Sequence, residues 1–414
     1  MMRDTTETLN TPAPRVAGHS GNERRGFPLR PVLTFVAAWL GGSWLIVGGW
    51  LSPVLPGGWA TVFAALALAA LPVTCLIRGV RGSTYPSAAT RLFILRPFWY
   101  AMLFLPMLAI VTLVGGLLGL PFGASGAAGR WALALGGAIL ALAIGAGFVG
   151  SRQLAVRRLE VRMPRLPVAF DGLRVVQISD LHVGPHTSRS FLRRVAQRVE
   201  AAKPDLIAIT GDQVDDFARD VEHYNAALGH LRAPLGTFAV AGNHDVYAGW
   251  DAVRRGLSAA GLTVLVNQAT AVERDGQRLW IAGTGDPAAA GGWPRGSASS
   301  AAPDIERTVA GIPQGEPVVA LAHNPVLWPK LAAHGVDLTL SGHTHYGQLA
   351  VPSHNWSMAS PFQKLAMGWH LRGHSLLYIH PGTNFWGIPF RLGTPPEVAI
   401  LTLKTVADGE AGID

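Results

Sequence analysis

The chain has 414 residues, of which 49% are hydrophobic and 14% charged, with a formal net charge of +8 and a mean hydropathy of +0.28. That balance is too apolar for an ordinary soluble protein and calls for membrane spans. A basic excess can signal nucleic-acid binding, but the arginines sit beside apolar segments and form no continuous Lys/Arg tract, so they read as topology signals and no nucleic-acid partner is expected. The single cysteine, Cys75, lies in an apolar segment, which excludes an intrachain disulfide and a cysteine-based zinc site.

Residues 1–30 are rich in Arg, Thr, Gly and Pro, lack hydrophobic periodicity, and are expected to be disordered. Four apolar stretches follow, at about 32–50, 59–77, 98–119 and 131–150, each close to the roughly 20 residues that a membrane-crossing helix needs. They predict a transmembrane region over 31–150. Arginines cluster in the N-terminal tail (Arg3, Arg15, Arg24, Arg25, Arg30), in the second loop (Arg78, Arg81, Arg91, Arg96) and after the fourth stretch (Arg152, Arg157, Arg158, Arg162, Arg165). The loop near Leu51 to Gly58 has no charge. This alternation places the N-terminus and everything after residue 150 in the cytoplasm, as a multi-pass protein of a bacterial inner membrane. Arg24-Arg25-Gly26-Phe27 argues the other way, since it resembles a twin-arginine export signal. Such signals normally precede one removable segment, whereas three more stretches follow here.

After a linker expected over 151–169, the pattern becomes that of an α/β unit, expected over 170–404 with a tail at 405–414. Strands are expected at Leu173 to Ile178, Leu206 to Ile209, Thr237 to Val240, Thr263 to Val266, Leu279 to Ala282, Val318 to Leu321 and Leu338 to Leu340. Helices are expected after Ser188, whose apolar Phe191, Val195 and Val199 recur at i+4, and near 218–230, 251–260, 304–310 and 327–334. Such alternation implies a parallel or mixed sheet covered on its faces.

Several of these apolar runs end in residues of metal-binding type. Asp180 and His182 follow the first and, two apart on extended backbone, project to one side. Thr210-Gly211-Asp212 follows the second and Gly242-Asn243-His244-Asp245 the third. Later come His323-Asn324 and Gly342-His343-Thr344-His345. A lone His or Gly-Asp is unremarkable; five such endings in order are not. The set resembles the calcineurin-like metallophosphoesterases, and the flanking Gly382-Thr383, Trp386-Gly387 and Pro395-Pro396-Glu397 are similar to the family's membrane-associated bacterial branch.

The resemblance implies a four-layer α/β/β/α sandwich with two divalent metal ions between its sheets. Asp180, His182 and His345 would hold the first metal and Asn243, His323 and His343 the second, with Asp212 bridging both. This mixture of donors suits manganese, iron or zinc. It implies a phosphoesterase that hydrolyses a monoester, diester or pyrophosphate by in-line attack of a metal-bridging hydroxide. His244 would be the general acid and Asp245 would accept from its other ring nitrogen. The short basic linker and the apolar Trp356, Met358, Phe362, Leu365, Met367 and Trp369 point to a substrate at the membrane surface, with a lipid-linked phosphate as the leading candidate. A receptor or scaffold retaining the metal site without turnover, and a nuclease of the same fold, are the alternatives; the nuclease is disfavoured because 200–350 holds only Lys203 and Lys330 as lysines. Gln213 and Tyr346 depart from the family pattern. His186, His334, His354, His370, His374 and His380 match no ligand position and read as non-ligands, and Asp215 and Asp286 read as turn or surface residues.

Overall fold

The computed structural model describes residues 29–80, 87–291, 298–406 and 411–413. The arginine pair Arg24-Arg25 and the expected disordered tail lie outside them, apart from its last two residues, which begin the first helix. Among the described residues three helices are long and apolar enough to cross a membrane, Leu33–Leu51, Ala88–Phe122 and Ser125–Gly150, where four spans were expected. The second expected span is a helix, Trp59–Val80, but its described apolar part, Trp59–Ala69, is short. The last two helices form a hairpin with small residues at the contact. A side chain on Gly115 would meet Ala132, one on Gly119 would meet Ala128, and the Trp50 ring fills the space over Gly116 and Gly129. Such small-residue contacts let helices approach closely where lipid supplies no hydrophobic drive.

Beyond the hairpin lie two mixed sheets. The first has the order β15-β1-β14-β2-β3-β4-β5, from Ala155–Met163 (β1), Arg174–Ile178 (β2), Leu206–Ile209 (β3), Thr237–Ala239 (β4), Thr263–Val264 (β5), Glu397–Thr405 (β14) and Gly412–Ile413 (β15). The second has the order β12-β13-β9-β8-β7-β6, from Gln268–Arg274 (β6), Gln277–Gly283 (β7), Val318–Leu321 (β8), Leu338–Ser341 (β9), Gly368–Arg372 (β12) and Ser375–Ile379 (β13). A small pair, Ala350–Val351 (β10) with Trp356–Ser357 (β11), stands apart. Alternate residues divide between two environments, as the pleat requires. Val175, Leu206, Ala208 and Phe238 face Leu279, Ile281, Val319, Leu321, Leu338 and Leu340 across the inter-sheet core. Val176, Ile178, Ile207 and Ile209 face the helices Arg189–Ala201, Val221–Leu228 and Asn243–Ala259. On the far side Ala320 and Val318 pack on Ile305–Val309 and Trp328–Ala333. The layers are therefore helix, sheet, sheet, helix.

The stretch read as a linker differs from expectation. Residues 155–163 form β1, paired in parallel with β14 along its whole length, and Gly412–Ile413 of the expected tail pair with β1 in turn. Leu159, Val161 and Met163 alternate inward with Glu160 and Arg162 between them, after Arg157 and Arg158. The arginines hid a strand pattern that the hydrophobic alternation alone carries.

The hairpin and the sandwich meet at residues 386–392. Phe390 packs edge-on against Phe104, with centroids 5.2 Å apart, and its ring fills the space over Gly147. Tyr100 donates to the Pro389 carbonyl at 3.0 Å, and the Arg391 N–H donates to the Gly147 carbonyl at 2.8 Å. Gly147→Val should overpack this contact and cost about 1–3 kcal/mol, measurable as a lower unfolding temperature of the full chain in detergent. An unchanged temperature would mean that the 386–392 segment is not seated on the hairpin.

Candidate metal centre

Strands β2, β3, β4 and β5 run parallel, with Ile178 opposite Ile209 and Ile209 opposite Ala239. Strands β8 and β9 run parallel with Leu321 opposite Leu340. Each sheet thus delivers the residues that follow its strands to one edge, where open α/β sheets carry their sites. Gln177 joins the two edges by donating to Thr210 Oγ1 at 2.9 Å and to the Ser341 carbonyl at 3.0 Å. Beyond the strands the loops stay in register: Asp180 N–H donates to the Gly211 carbonyl and His182 N–H to that of Asp212. Asp180, His182, Asp212, His343 and His345 all lie in the left-handed backbone region, at φ of 53°, 42°, 51°, 72° and 50°. That conformation costs a residue with a Cβ on the order of 1–2 kcal/mol. Gly242 and Gly342 permit the crowding, because a Cβ on either would run into the Asp212 or Asp180 carboxylate.

The structure brings together Asp180, His182, Asp212, Asn243, His323, His343 and His345. His345 Nε2 lies 3.3 Å from Asp180 Oδ1 and 2.9 Å from His182 Nε2. His323 Nε2 is 3.2 Å from Asp212 Oδ2, while His182 Nε2 is 3.6 Å from that same oxygen. Asn243 Oδ1 lies 3.1 Å from His323 Nε2 and 2.8 Å from His343 Nδ1. Asp180, His182 and His345, and separately Asp180, Asp212 and His323, each converge closely enough to share a cation. The chemistry of this donor set fits divalent metals, because ring nitrogens that face each other and two buried carboxylates converge on one edge as a mixed set of nitrogen and oxygen donors. Burial pushes His343 down to about 3, with His323 assisting. His323 moves well above the usual range despite its burial, because the Asp212 carboxylate faces it.

His244 and Asp245 part company. His244 Nδ1 lies 3.0 Å from the Asp215 carbonyl oxygen and 3.4 Å from Asp215 Oδ1. Asp245 does not face that ring. Its Oδ2 accepts from Gly242 N–H at 2.9 Å and its Oδ1 from Val214 N–H at 3.1 Å, which satisfies the first turn of the helix Asn243–Ala259. Asp215, read from the sequence as a turn residue, takes the orienting position, and its carboxylate also lies 3.2 Å from His182 Nδ1. Its spacing of three from Asp212 is the signal that could have found it.

Asp286, read from the sequence as a turn or surface residue, is buried, and burial raises its carboxyl to about 6. Arg391 places Nη2 2.9 Å from His345 Nδ1, a role that no local motif announces. Tyr346 has φ 51°, which explains why glycine suits that position. Its hydroxyl points away from the site, donating to the Ile379 carbonyl at 2.7 Å and accepting from Gly368 N–H. Gln213 turns its amide to the Val240 carbonyl.

The calcineurin-like phosphoesterase profile matches residues 173–347, which contain every residue expected for the site. An "Uncharacterized metallophosphoesterase YkuE" from Bacillus subtilis (strain 168) is 31% identical over 276 residues, covering 64% of this chain and 92% of its own. The chain belongs to the calcineurin-like phosphoesterase family. A "Transmembrane protein with metallophosphoesterase domain" from Bos taurus is 32% identical over 259 residues, covering 60% of this chain and 57% of that protein. The chain thus spans just over half the length of that relative. Among solved structures, the NAD nucleotidase of Haemophilus influenzae aligns over 58% of this chain and 55% of its own at 16% identity and a TM-score of 0.38, too distant to carry an argument.

Within this site the two aspartates should separate. Asp215→Asn should slow turnover with stability near normal, whereas Asp245→Asn should cost about 1–3 kcal/mol of stability through the buried N–H groups it disturbs. Equal effects on rate and melting temperature from both would refute the assignment.

Proposed function

We propose that the protein is a membrane-embedded phosphoesterase that uses two divalent metal ions, manganese, iron or zinc, and acts from the cytoplasmic face. The observation that carries this reading is the convergence of imidazole, carboxylate and amide donors on one buried edge between two sheets. Asp180, His182 and His345 would hold one cation, Asn243, His323 and His343 the other, and Asp212 both. Cations held there would activate water at neutral pH and neutralise charge on the phosphoryl oxygens. His244, with Nδ1 against the Asp215 carbonyl oxygen, keeps Nε2 for proton delivery to the leaving oxygen. We read 31–150 as the membrane region and 170–404 as the hydrolytic unit, to which residues 155–163 add an outer strand.

A phosphorylated, lipid-linked substrate fits the surroundings of His244. The Trp386 ring lies 5.9 Å from the His244 ring and 6.0 Å from that of Trp99 in the membrane hairpin, so an aromatic path runs from the site to the membrane helices. The apolar stretch after His345 supports the same surface location only in part. Phe362 is 83% exposed, while Met367 is buried and Trp369 stacks on Tyr378.

Two experiments test the reading. Asp212→Asn should abolish hydrolysis of phosphate esters by the full chain in manganese and lower the metal content per chain, since one carboxylate serves both cations; wild-type turnover would refute the two-metal site. A fluorescent protein fused after Asp414 should be bright and a periplasm-dependent phosphatase fusion inactive. The opposite pair of results would establish an exported domain.

A further inference from the structure

A cavity of about 620 Å³ opens where the hairpin meets the sandwich, apart from the metal centre, and Arg96, Arg152, His186, Ser188, Arg193 and Arg194 line it. Arg96 comes from the helix Ala88–Phe122 and Arg152 from just beyond the end of Ser125–Gly150. Because these helices are antiparallel, both arginines lie at one end of the hairpin, on the side of the sandwich. The remaining four come from the loop after His182 and the start of the helix Arg189–Ala201. No carboxylate lines the cavity. Among the described residues none of the four arginines has an acidic partner at ion-pair distance. Two rest on rings instead: the Arg152 guanidinium is 3.5 Å from the Phe148 centroid and that of Arg194 is 5.6 Å from Phe191. Arg96 Nε donates to His186 Nδ1 at 3.4 Å. Four like charges gathered without a counter-charge repel one another, and planar guanidinium groups match the oxygens of a phosphate.

We propose that this cavity is an anion site that holds the phosphate-bearing headgroup of a membrane lipid. One and two turns along the same helix from Arg96, Tyr100 and Phe104 line a second cavity, of about 460 Å³, whose walls include Leu40, Trp44, Leu108 and Ile144. A basic cavity at the end of the hairpin and an apolar one between the hairpin and the helices that precede it form adjoining sites for a charged head and an acyl chain. A free phosphate would use only the first. The occupant would also touch the metal centre's scaffold, since Thr187 and Asn384 belong to the wall of the basic cavity. Thr187 Oγ1 donates to the His182 carbonyl at 2.7 Å, and Asn384 Nδ2 to the Leu181 carbonyl at 2.8 Å.

The inference rests on the membrane-embedded reading of the hairpin and not on hydrolysis, so binding tests it directly. The full chain in neutral detergent is titrated with a fluorescent short-chain phosphatidylglycerol, and bound probe is then challenged with unlabelled phosphatidylglycerol, inorganic phosphate or diacylglycerol. Phosphatidylglycerol should displace the probe, and the other two should not at the same concentration. Arg193→Gln with Arg194→Gln, both exposed, should weaken binding about tenfold or more, while Arg372→Gln, an exposed arginine on β12, should leave it unchanged. Wild-type binding by the double variant would overturn the proposal. So would displacement by inorganic phosphate, which would make this a free-anion site, or by diacylglycerol, which would make the apolar surface alone responsible. Release of the chain from membranes by alkaline carbonate would sink the membrane reading separately.

Discussion

A buried guanidinium ties the apolar helical hairpin to the candidate metal centre. Arg391 is almost wholly buried, and it donates to the carbonyl oxygens of His345, Pro381 and Asn384 while Nη2 lies beside the His345 ring. Its own N–H is bonded to the Gly147 carbonyl of the hairpin. Burial lowers its pKa to about 9, so it stays cationic at neutral pH. Removing such a charge from water is costly, and hydrogen bonds to its donors offset that cost. The carbonyl oxygens that bond both terminal nitrogens, though not the buried Nε, belong to the loops around His345, so the same bonds that offset the cost also set where the last site histidine stands. The position of His345 depends in this way on how residues 381–391 seat against the two helices of the hairpin.

The rest of the site has the same character of strain held by surroundings. Asp180, His182, Asp212, His343 and His345 occupy left-handed backbone, which no isolated loop would sustain at five places at once. The sheets over-determine it. Parallel strands of equal register present their ends together, Gln177 bridges the two edges, and glycines at 242 and 342 let carboxylates approach backbone. The inter-sheet core of Val, Leu, Ile and Phe side chains beneath this edge supplies the stability against which the strain is set.

The aromatic contacts join the site and the apolar hairpin at the other end. His244 stands between His182 and Trp386, and Trp386 between His244 and Trp99. A segment that reads as loop in sequence, residues 384–392, therefore contributes to the metal-site scaffold, to the surroundings of His244, to the hairpin contact and to the wall of the arginine-lined cavity.

The sequence by itself determined the strands whose ends carry chemistry and the residue types at those ends. An apolar run followed by Asp, Asn or His beside glycine is a local signal, and the register of parallel strands turns it into a common edge. It also determined apolar helices ahead of an α/β unit, since length and composition suffice for that. Only the tertiary structure decided which aspartate serves His244. Asp245 follows His244 directly, but in the first helical turn its side chain folds back to the N–H groups of Val214 and Gly242. Asp215, 29 residues earlier, is carried to the His244 ring by a loop that runs beside the one from Asp180 to Val183. Tertiary structure likewise turned the arginine-rich 155–163 into a strand and Arg391 into a clasp. In both cases the decisive partner lies far away in the chain, Glu397 to Thr405 for the strand and Gly147 for the clasp, and a pattern of neighbouring residues holds no record of such a partner.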